Sequence, residues 1–233
     1  MDLKIEVIET AKSKIVQHGL MKAGILPTHP SSVLFTGSSG SGKSNLCFNF
    51  LKNFLPNYFD EIYLISPTAS LDDIQASVKI KATDTKLDPE FVNNIFNKQE
   101  RDLKQKGVSG LKKVLILYDD VVSNTRYMNS KPFKRSFLMN RHYGCSTWLC
   151  SQSFKLVPRS MRIQANNLFI FSPNQSERDI ILSEFTPPGK SKEQFDRLLS
   201  EVFNKPYNFL HINLRVPFEQ RYRSGLQEIL WFS

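Results

Sequence analysis

A glycine-rich segment with a lysine most limits what this chain can fold into. Residues 37–44 read Gly-Ser-Ser-Gly-Ser-Gly-Lys-Ser, which fits the pattern G-x-x-x-x-G-K-[ST], between an apolar run and a helix-forming run. Glycines let the backbone curl so that its N–H groups converge on phosphate oxygens, an approach that side chains would block. The pattern therefore predicts a phosphate-binding loop (P-loop) at the N-terminus of a helix, whose dipole also favours an anion.

The chemistry of such a loop assigns roles to its residues. Lys43 contributes a positive charge to the β- and γ-phosphates, and the Ser44 hydroxyl binds Mg²⁺. ATP and Mg²⁺ are therefore the expected ligands, although the sequence leaves the preference between adenine and guanine open. The predicted nucleotide-binding residues are Gly37, Ser38, Ser39, Gly40, Ser41, Gly42, Lys43, Ser44 and Asn45.

Two carboxylates follow the most apolar run of the chain. Residues 114–118 read Val-Leu-Ile-Leu-Tyr, and Asp119 and Asp120 come next. A continuous apolar run predicts a strand buried on both faces, whose carboxyl end faces a ligand in an open α/β sheet. We expect Asp119 to bind the hydrated metal ion and Asp120 to orient or deprotonate an attacking water. The alternative is a strand that ends in two solvated acids.

Short apolar runs alternate with longer periodic ones along the chain, which predicts an α/β fold with a mostly parallel central sheet flanked by helices. Residues 67–88 read as a long functional loop. The predicted strands are 32–36, 61–66, 114–118, 146–150, 168–171 and 209–214. The predicted helices are 43–54, 89–106, 132–142, 159–165, 175–184 and 192–203.

Length and composition indicate one globular domain. The 233 residues have a mean hydropathy of −0.31 and contain no apolar run long enough to cross a membrane. The first residues carry acids and lack the apolar core of a signal peptide, and the three cysteines form no CxxC pair. These features argue against membrane, secreted, zinc-finger and fibrous proteins. We expect an ATPase core over 31–215, an N-terminal lead-in or subunit contact over 1–30 and a C-terminal tail over 216–233.

Positive charge is concentrated in one part of the chain. The net charge is +9, and residues 121–176 contain no Asp or Glu but eight Lys or Arg. A polyanion such as nucleic acid is the natural partner of such a field. A basic surface that only maintains solubility is the alternative.

The order of several motifs resembles a known family. LYDDVVS (117–123) is followed by NRHYGCS (140–146), TWLCSQS (147–153), VPRSMRIQANNLFIF (157–171), YNFLHINL (207–214) and RYR (221–223). Together with the P-loop, this series resembles the genome-packaging ATPases of large DNA viruses and virophages, the poxvirus-type branch of the FtsK–HerA superfamily. The resemblance covers roughly residues 30–225.

The resemblance implies a RecA-like P-loop core that assembles as a ring, a pentamer or hexamer, and pumps double-stranded DNA into a preformed capsid. Capsid or vertex proteins would be its partners. It would act in the host cell cytoplasm, in the viral factory, with the virion as a second location. Two other functions remain open: a nucleotide-gated DNA-binding or assembly protein with little turnover, and a P-loop small-molecule kinase.

The resemblance also suggests further site residues. Gln152 ends a predicted strand where the family places a polar sensor of the γ-phosphate, and Arg141 is the first candidate for an arginine donated to a neighbouring subunit. Arg159 and Arg162 are the alternatives. Many ring motors carry glutamate at the position of Asp120, so the shorter acid predicts slow hydrolysis without DNA.

The acid-free window begins directly after Asp120. Residues 123–135 are rich in hydroxyl, amide and cationic side chains, which contact phosphate oxygens without reading base sequence. We expect this segment to form a DNA-gripping loop, although an exposed basic helix start is an alternative. Its predicted DNA-binding residues are Arg126, Lys131, Lys134 and Arg135.

Overall fold

A computed structural model describes residues 19–69 and 78–230 of the chain. These residues contain one nine-stranded sheet in the order β3-β2-β4-β5-β1-β6-β7-β8-β9. The strands from β3 to β6 in this order are parallel, and β7, β8 and β9 add on antiparallel. The strands are β1 (Ser32–Thr36), β2 (Glu61–Ile65), β3 (Ala82–Asp84), β4 (Val114–Asp119), β5 (Cys145–Ser151), β6 (Asn167–Phe171), β7 (Phe209–Asn213), β8 (Tyr222–Ser224) and β9 (Glu228–Ile229).

Helices connect the strands. They are α1 (Lys43–Asn49), α2 (Pro89–Lys106), α3 (Thr125–Met128), α4 (Lys131–Leu138), α5 (Arg159–Arg162), α6 (Gln175–Phe185) and α7 (Lys192–Phe203). The helix α1 continues as a π-helical turn (Phe50–Phe54), and 3₁₀ turns span Val108–Gly110, Asn140–Tyr143 and Phe218–Gln220. No helix within 19–69 or 78–230 is long and apolar enough to span a membrane.

The sheet separates two hydrophobic clusters, and the interior strand β4 contributes to both. Ile116 and Tyr118 belong to one cluster, whereas Leu115 and Leu117 belong to the other. Successive side chains of a strand point to opposite faces, so a strand covered on both faces is apolar at every position. This arrangement confirms the prediction of a mostly parallel sheet flanked by helices.

Three predicted elements differ from the structure by more than one residue. The helix predicted over 132–142 ends at Leu138, and a 3₁₀ turn follows because the Asn140 side chain reaches the start of β1, donating to Ser31 O (3.3 Å) and Ser32 Oγ (2.9 Å). The helix predicted over 159–165 ends at Arg162, since the chain must turn into β6. The predicted long loop 67–88 contains the short edge strand β3.

The two ends of the chain are described in part. Most of the predicted lead-in 1–30 and the last three residues of the predicted tail lie outside the described residues. Within the described part, Leu20 and Met21 pack against the cluster that contains Leu115 and Leu117. The strands β8 and β9 belong to the sheet, which therefore extends past residue 215, the predicted end of the core.

Candidate nucleotide site

The P-loop connects β1 to α1 at the carboxyl edge of the parallel strands. The Gly37 N–H donates to Ser151 O (3.1 Å), which attaches the start of the loop to the end of the neighbouring strand β5. Gly40 (φ 73°) and Gly42 (φ 98°) occupy the left-handed region, which strains other residues. A Cβ atom at Gly37 would lie 2.7 Å from Ser41 Oγ and Phe171 Cβ. The loop can therefore close only with glycine, which leaves a cradle bounded by backbone.

Lys43 and Ser44 begin α1 beneath this loop. The Lys43 side chain is buried, and its Nζ lies 3.4 Å from Ser38 O. Ser44 Oγ donates to Asp119 Oδ1 over 3.4 Å, although the two residues are 75 positions apart in the chain. A hydroxyl and a carboxylate oxygen thus meet at the loop, and such oxygen ligands suit Mg²⁺. The predicted ligands of the metal ion are therefore brought together.

Asp120 and Gln152 form the second polar pair of the site. The Asp120 backbone has φ 56° and donates from its N–H to Cys150 O (3.3 Å), so the chain turns sharply at the end of β4. Gln152 Nε2 donates to Asp120 Oδ1 over 2.7 Å. The amide orients this carboxylate without adding a charge, which leaves it able to accept a hydrogen bond or a proton from water.

One cleft of about 210 Å³ collects these groups. Its lining includes Thr68 and Phe48, which the sequence interpretation missed. Thr68 follows β2 at the same edge of the sheet, so its place after an apolar strand was the available signal. Among the described residues, the lining is Ser39, Gly40, Lys43, Ser44, Phe48, Thr68, Asp119, Asp120 and Gln152. A larger cavity of about 560 Å³, next to the start of β2, contains none of the motif residues.

A buried carboxylate holds the segment that follows Gln152. Glu177 Oε1, in the first turn of α6, accepts hydrogen bonds from Ser153 Oγ (2.6 Å) and from the Phe154 N–H (2.8 Å). Asn174 Oδ1 accepts from the Glu177 N–H (3.1 Å) and caps the helix. Glu177 therefore connects the end of β5 to α6. In the sequence, the only sign of a special role for Glu177 is its position in a capping box with Asn174.

The three candidate arginines occupy different environments. Arg141 is exposed in the 3₁₀ turn that precedes β5, so the length of that strand, roughly 20 Å, separates it from the site of its own subunit. Arg159 is also exposed, with Nε 3.5 Å from Glu184 Oε1. Arg162 is buried, forms a two-point ion pair with Glu184 (2.8 and 2.7 Å) and lies over the Phe154 ring. This arrangement argues against Arg162 as a group that reaches another subunit.

The predicted DNA-gripping segment is helical, not an open loop. Asn124 caps α3 and Ser130 caps α4 through side-chain oxygens. The cationic side chains that remain exposed are Arg126, Lys131 and Lys134.

The structure places Arg135, the fourth predicted DNA-binding residue, in a different environment from the other three. The Arg135 guanidinium packs over the rings of Phe96 and Tyr143, 5.0 and 4.7 Å from their centres, and lies 3.4 Å from Glu100 Oε2. Arg135 therefore attaches α4 to α2 and does not face solvent with the other three.

Fold and site together define an α/β protein of the P-loop NTPase class. The family model described as Poxvirus A32 protein matches residues 21–204, and the chain belongs to this family. No curated protein is similar enough to count as a match.

Several solved structures share the fold. The genome packaging NTPase B204 from Sulfolobus turreted icosahedral virus 2, solved with AMP, is 15% identical with a TM-score of 0.63; the alignment covers 86% of this chain and 98% of that one. B204 from Sulfolobus turreted icosahedral virus, described as a DNA-packaging ATPase, is 17% identical with a TM-score of 0.61 over the same shares. The pCW3 conjugation coupling protein TcpA, solved with ATPγS, is 13% identical with a TM-score of 0.57, over 86% of this chain and 60% of that one.

Proposed function

We propose that this chain hydrolyses ATP to move double-stranded DNA into a preformed viral capsid. The observation that carries the proposal is the meeting of Lys43, Ser44, Asp119, Asp120 and Gln152 around one cleft. Membership of the poxvirus A32 family and the fold shared with packaging NTPases support the DNA substrate. The small-molecule kinase alternative is less well supported, because a second carboxylate beside the P-loop suits attack by water.

Binding places the triphosphate in the backbone cradle, with Lys43 Nζ turned from Ser38 O towards the β- and γ-phosphates. Ser44 Oγ and Asp119 would hold the Mg²⁺ ion. When bound, the ion neutralises charge that develops on the transferring phosphoryl group. Ser44 and Asp119 come from two elements, α1 and β4, so metal binding would also fix the two elements relative to each other.

Hydrolysis uses the Asp120–Gln152 pair. Gln152 holds the Asp120 carboxylate towards the water that attacks the γ-phosphorus, and Asp120 accepts the proton of that water as the bond to the β–γ bridging oxygen breaks. An arginine of the neighbouring subunit stabilises the phosphoryl charge. Arg141 remains the first candidate for this role, and Arg159 is the exposed alternative.

Translocation requires an assembly and a grip on DNA. We propose a ring of five or six subunits whose exposed Arg126, Lys131 and Lys134 bind backbone phosphates without reading base sequence. The ring would bind a capsid or vertex protein and work in the viral factory of the host cytoplasm. Nucleotide-driven movement at the end of β4 would reach these cations directly, because α3 follows Asp120 after four residues.

The first test is ATP hydrolysis with and without long double-stranded DNA, at low and moderate salt. Lys43→Ala is the blank, and Lys52→Ala, which removes an exposed lysine just beyond α1, is the matched control. We expect a DNA-stimulated rate that declines with salt, disappears in the Lys43 variant and persists in the Lys52 variant.

Two results would contradict the proposal that this chain is a DNA-translocating motor. A rate that does not respond to DNA would favour chemistry on a small molecule. Tight nucleotide binding without turnover, in the presence of DNA, would favour a nucleotide-gated assembly protein.

A further inference from the structure

Tyr207 is an exposed aromatic residue beside the P-loop. It lies between α7 and β7, and 77% of it is exposed to solvent. A Cβ atom built on Gly42 would lie 3.9 Å from Tyr207 Cδ1, which places the ring next to the first turn of α1. Within the described part of the chain, no hydrogen bond, ion pair or ring contact involves the Tyr207 side chain. A large aromatic surface is thus left in water next to a site for a nucleotide.

The backbone holds Tyr207 in a conformation that tyrosine rarely adopts. Lys205, Pro206, Tyr207 and Asn208 form a turn closed by the Asn208 N–H donating to Lys205 O (3.2 Å). Tyr207 has φ 57° at the third position, where turns of this kind favour glycine or asparagine. Strain of this sort persists where the surroundings impose it, and it is concentrated at ligand sites.

The contacts of Asn208 impose this conformation. Asn208 Nδ2 donates to Val202 O (2.8 Å) and to Ser224 Oγ (2.9 Å), which attaches the turn to α7 and β8. On the P-loop side, Phe171 is buried, and its ring packs 5.0 Å from that of Phe209. The Tyr207 ring is therefore presented from a turn that is fixed on both sides.

The order of the strands indicates which end of a nucleotide this ring would meet. Asp119, Asp120 and Gln152, which serve the γ-phosphate, follow β4 and β5 on one side of β1. Tyr207 precedes β7, on the other side of β1 beyond β6. A triphosphate that lies along the P-loop with its γ end towards β4 and β5 directs its nucleoside towards β6 and β7.

We propose that Tyr207 is the stacking platform for the base of the bound nucleoside triphosphate. This inference rests on the proposed nucleotide site and adds the group that binds the base. Stacking on an aromatic ring is tolerant of base identity, because every base has a π-face. The platform therefore binds adenine and guanine alike, in keeping with the absence of a base-reading motif in the sequence.

The test compares ligands with and without a base. Titration calorimetry would measure the affinity of the full chain, with Mg²⁺, for ATPγS and for inorganic tripolyphosphate. Tyr207→Ala removes the ring, whereas Tyr207→Phe retains it at the same backbone position and serves as the control. We expect Tyr207→Ala to weaken ATPγS binding by about tenfold and to leave tripolyphosphate binding within about twofold, with Tyr207→Phe close to the unmodified chain for both ligands.

The other outcomes overturn the proposal in distinguishable ways. Unchanged ATPγS binding in Tyr207→Ala would show that the ring does not contact the base. An equal loss for both ligands would show that the substitution disturbs the P-loop. Equal affinities of the unmodified chain for both ligands would show that no residue binds the base. Binding of neither ligand by the unmodified chain would refute the nucleotide site itself, and Tyr207 as its platform with it.

Discussion

At the scale of single residues, the buried His211 and the half-buried His29 make stability depend on pH. His211 is fully buried, stacks on Phe169 with 4.3 Å between ring centres, and its Nε2 lies 3.2 Å from Asn167 Oδ1. Burial, followed by the nearby charge of Arg223, lowers its pKa to about 3. Burial, followed by Lys113, lowers the pKa of His29 to about 4. Both side chains therefore stay neutral in the fold at pH values where an unfolded histidine is protonated.

The sign of the effect follows from proton binding. Below pH 6.5 the unfolded chain binds protons that the folded chain does not, so the free energy of unfolding falls as the pH falls towards 4. Each histidine contributes up to about 1.4 kcal/mol per pH unit. We expect His211→Gln to flatten this dependence in urea unfolding between pH 7 and pH 4.5, whereas replacement of the exposed His142 by Gln should leave it unchanged. Equal slopes in all three proteins would contradict the assignment to His211.

Residue identities also explain how much of the site the sequence could predict. Some site residues belong to short contiguous motifs whose spacing predicts their roles, and the structure brings them together. They are Lys43, Ser44, Asp119 and Asp120. Arg135 and Arg162 look like free cations in the sequence, because their partners Glu100 and Glu184 are 35 and 22 positions away. Ion pairs between residues so far apart in the chain depend on how the helices pack, and a local sequence pattern does not predict that packing.

At the scale of elements, Glu177 connects β5 to α6, and we expect this connection to affect both stability and turnover. Glu177→Ala would leave the Phe154 N–H without its acceptor in a buried position, at a cost of about 2 kcal/mol in the free energy of unfolding. The same change releases the segment after Gln152, so we expect the rate of hydrolysis to fall by about tenfold or more.

Asn174→Ala is the matched control for this element. It removes the cap of α6 at a cost of about 1 kcal/mol but leaves the Glu177 carboxylate in contact with Ser153 and Phe154. Thermal unfolding and ATP turnover would be measured on both variants. We expect both to lose stability and only Glu177→Ala to lose turnover. Equal turnover losses at equal stability losses would assign Glu177 a purely structural role.

Long, buried or capped elements can be predicted from the sequence, whereas very short strands cannot. The long apolar run of β4 and the periodic, capped helices α2, α6 and α7 are visible in the sequence, because burial and capping leave local patterns. The three-residue strand β3 and the strands β8 and β9 are too short to show a period. They form because the edges of a sheet already in place offer them hydrogen-bond partners.

At the scale of the whole molecule, charge and sheet topology place an exposed cationic surface next to the candidate nucleotide site. The exposed cations of the acid-free window, Arg126, Lys131 and Lys134, follow the strand that carries Asp119 and Asp120. None of the three forms an ion pair with another described residue. They are therefore available to a polyanion, whereas Arg135 is held by α2.

A charge-matched comparison tests this surface. Replacing Arg126, Lys131 and Lys134 by Ala lowers the net charge from +9 to +6, and so does replacing the exposed Lys52, Lys192 and Arg197. If the first three contact backbone phosphates, their loss should reduce the slope of log affinity for double-stranded DNA against log salt by about 2.7, which is 0.9 for each contact. DNA stimulation of hydrolysis should then disappear, while the affinity for nucleotide stays unchanged. The control should keep both the slope and the stimulation, because its cations lie outside the acid-free window. A similar reduction in the two triple variants would mean that net charge, and not this surface, attracts DNA.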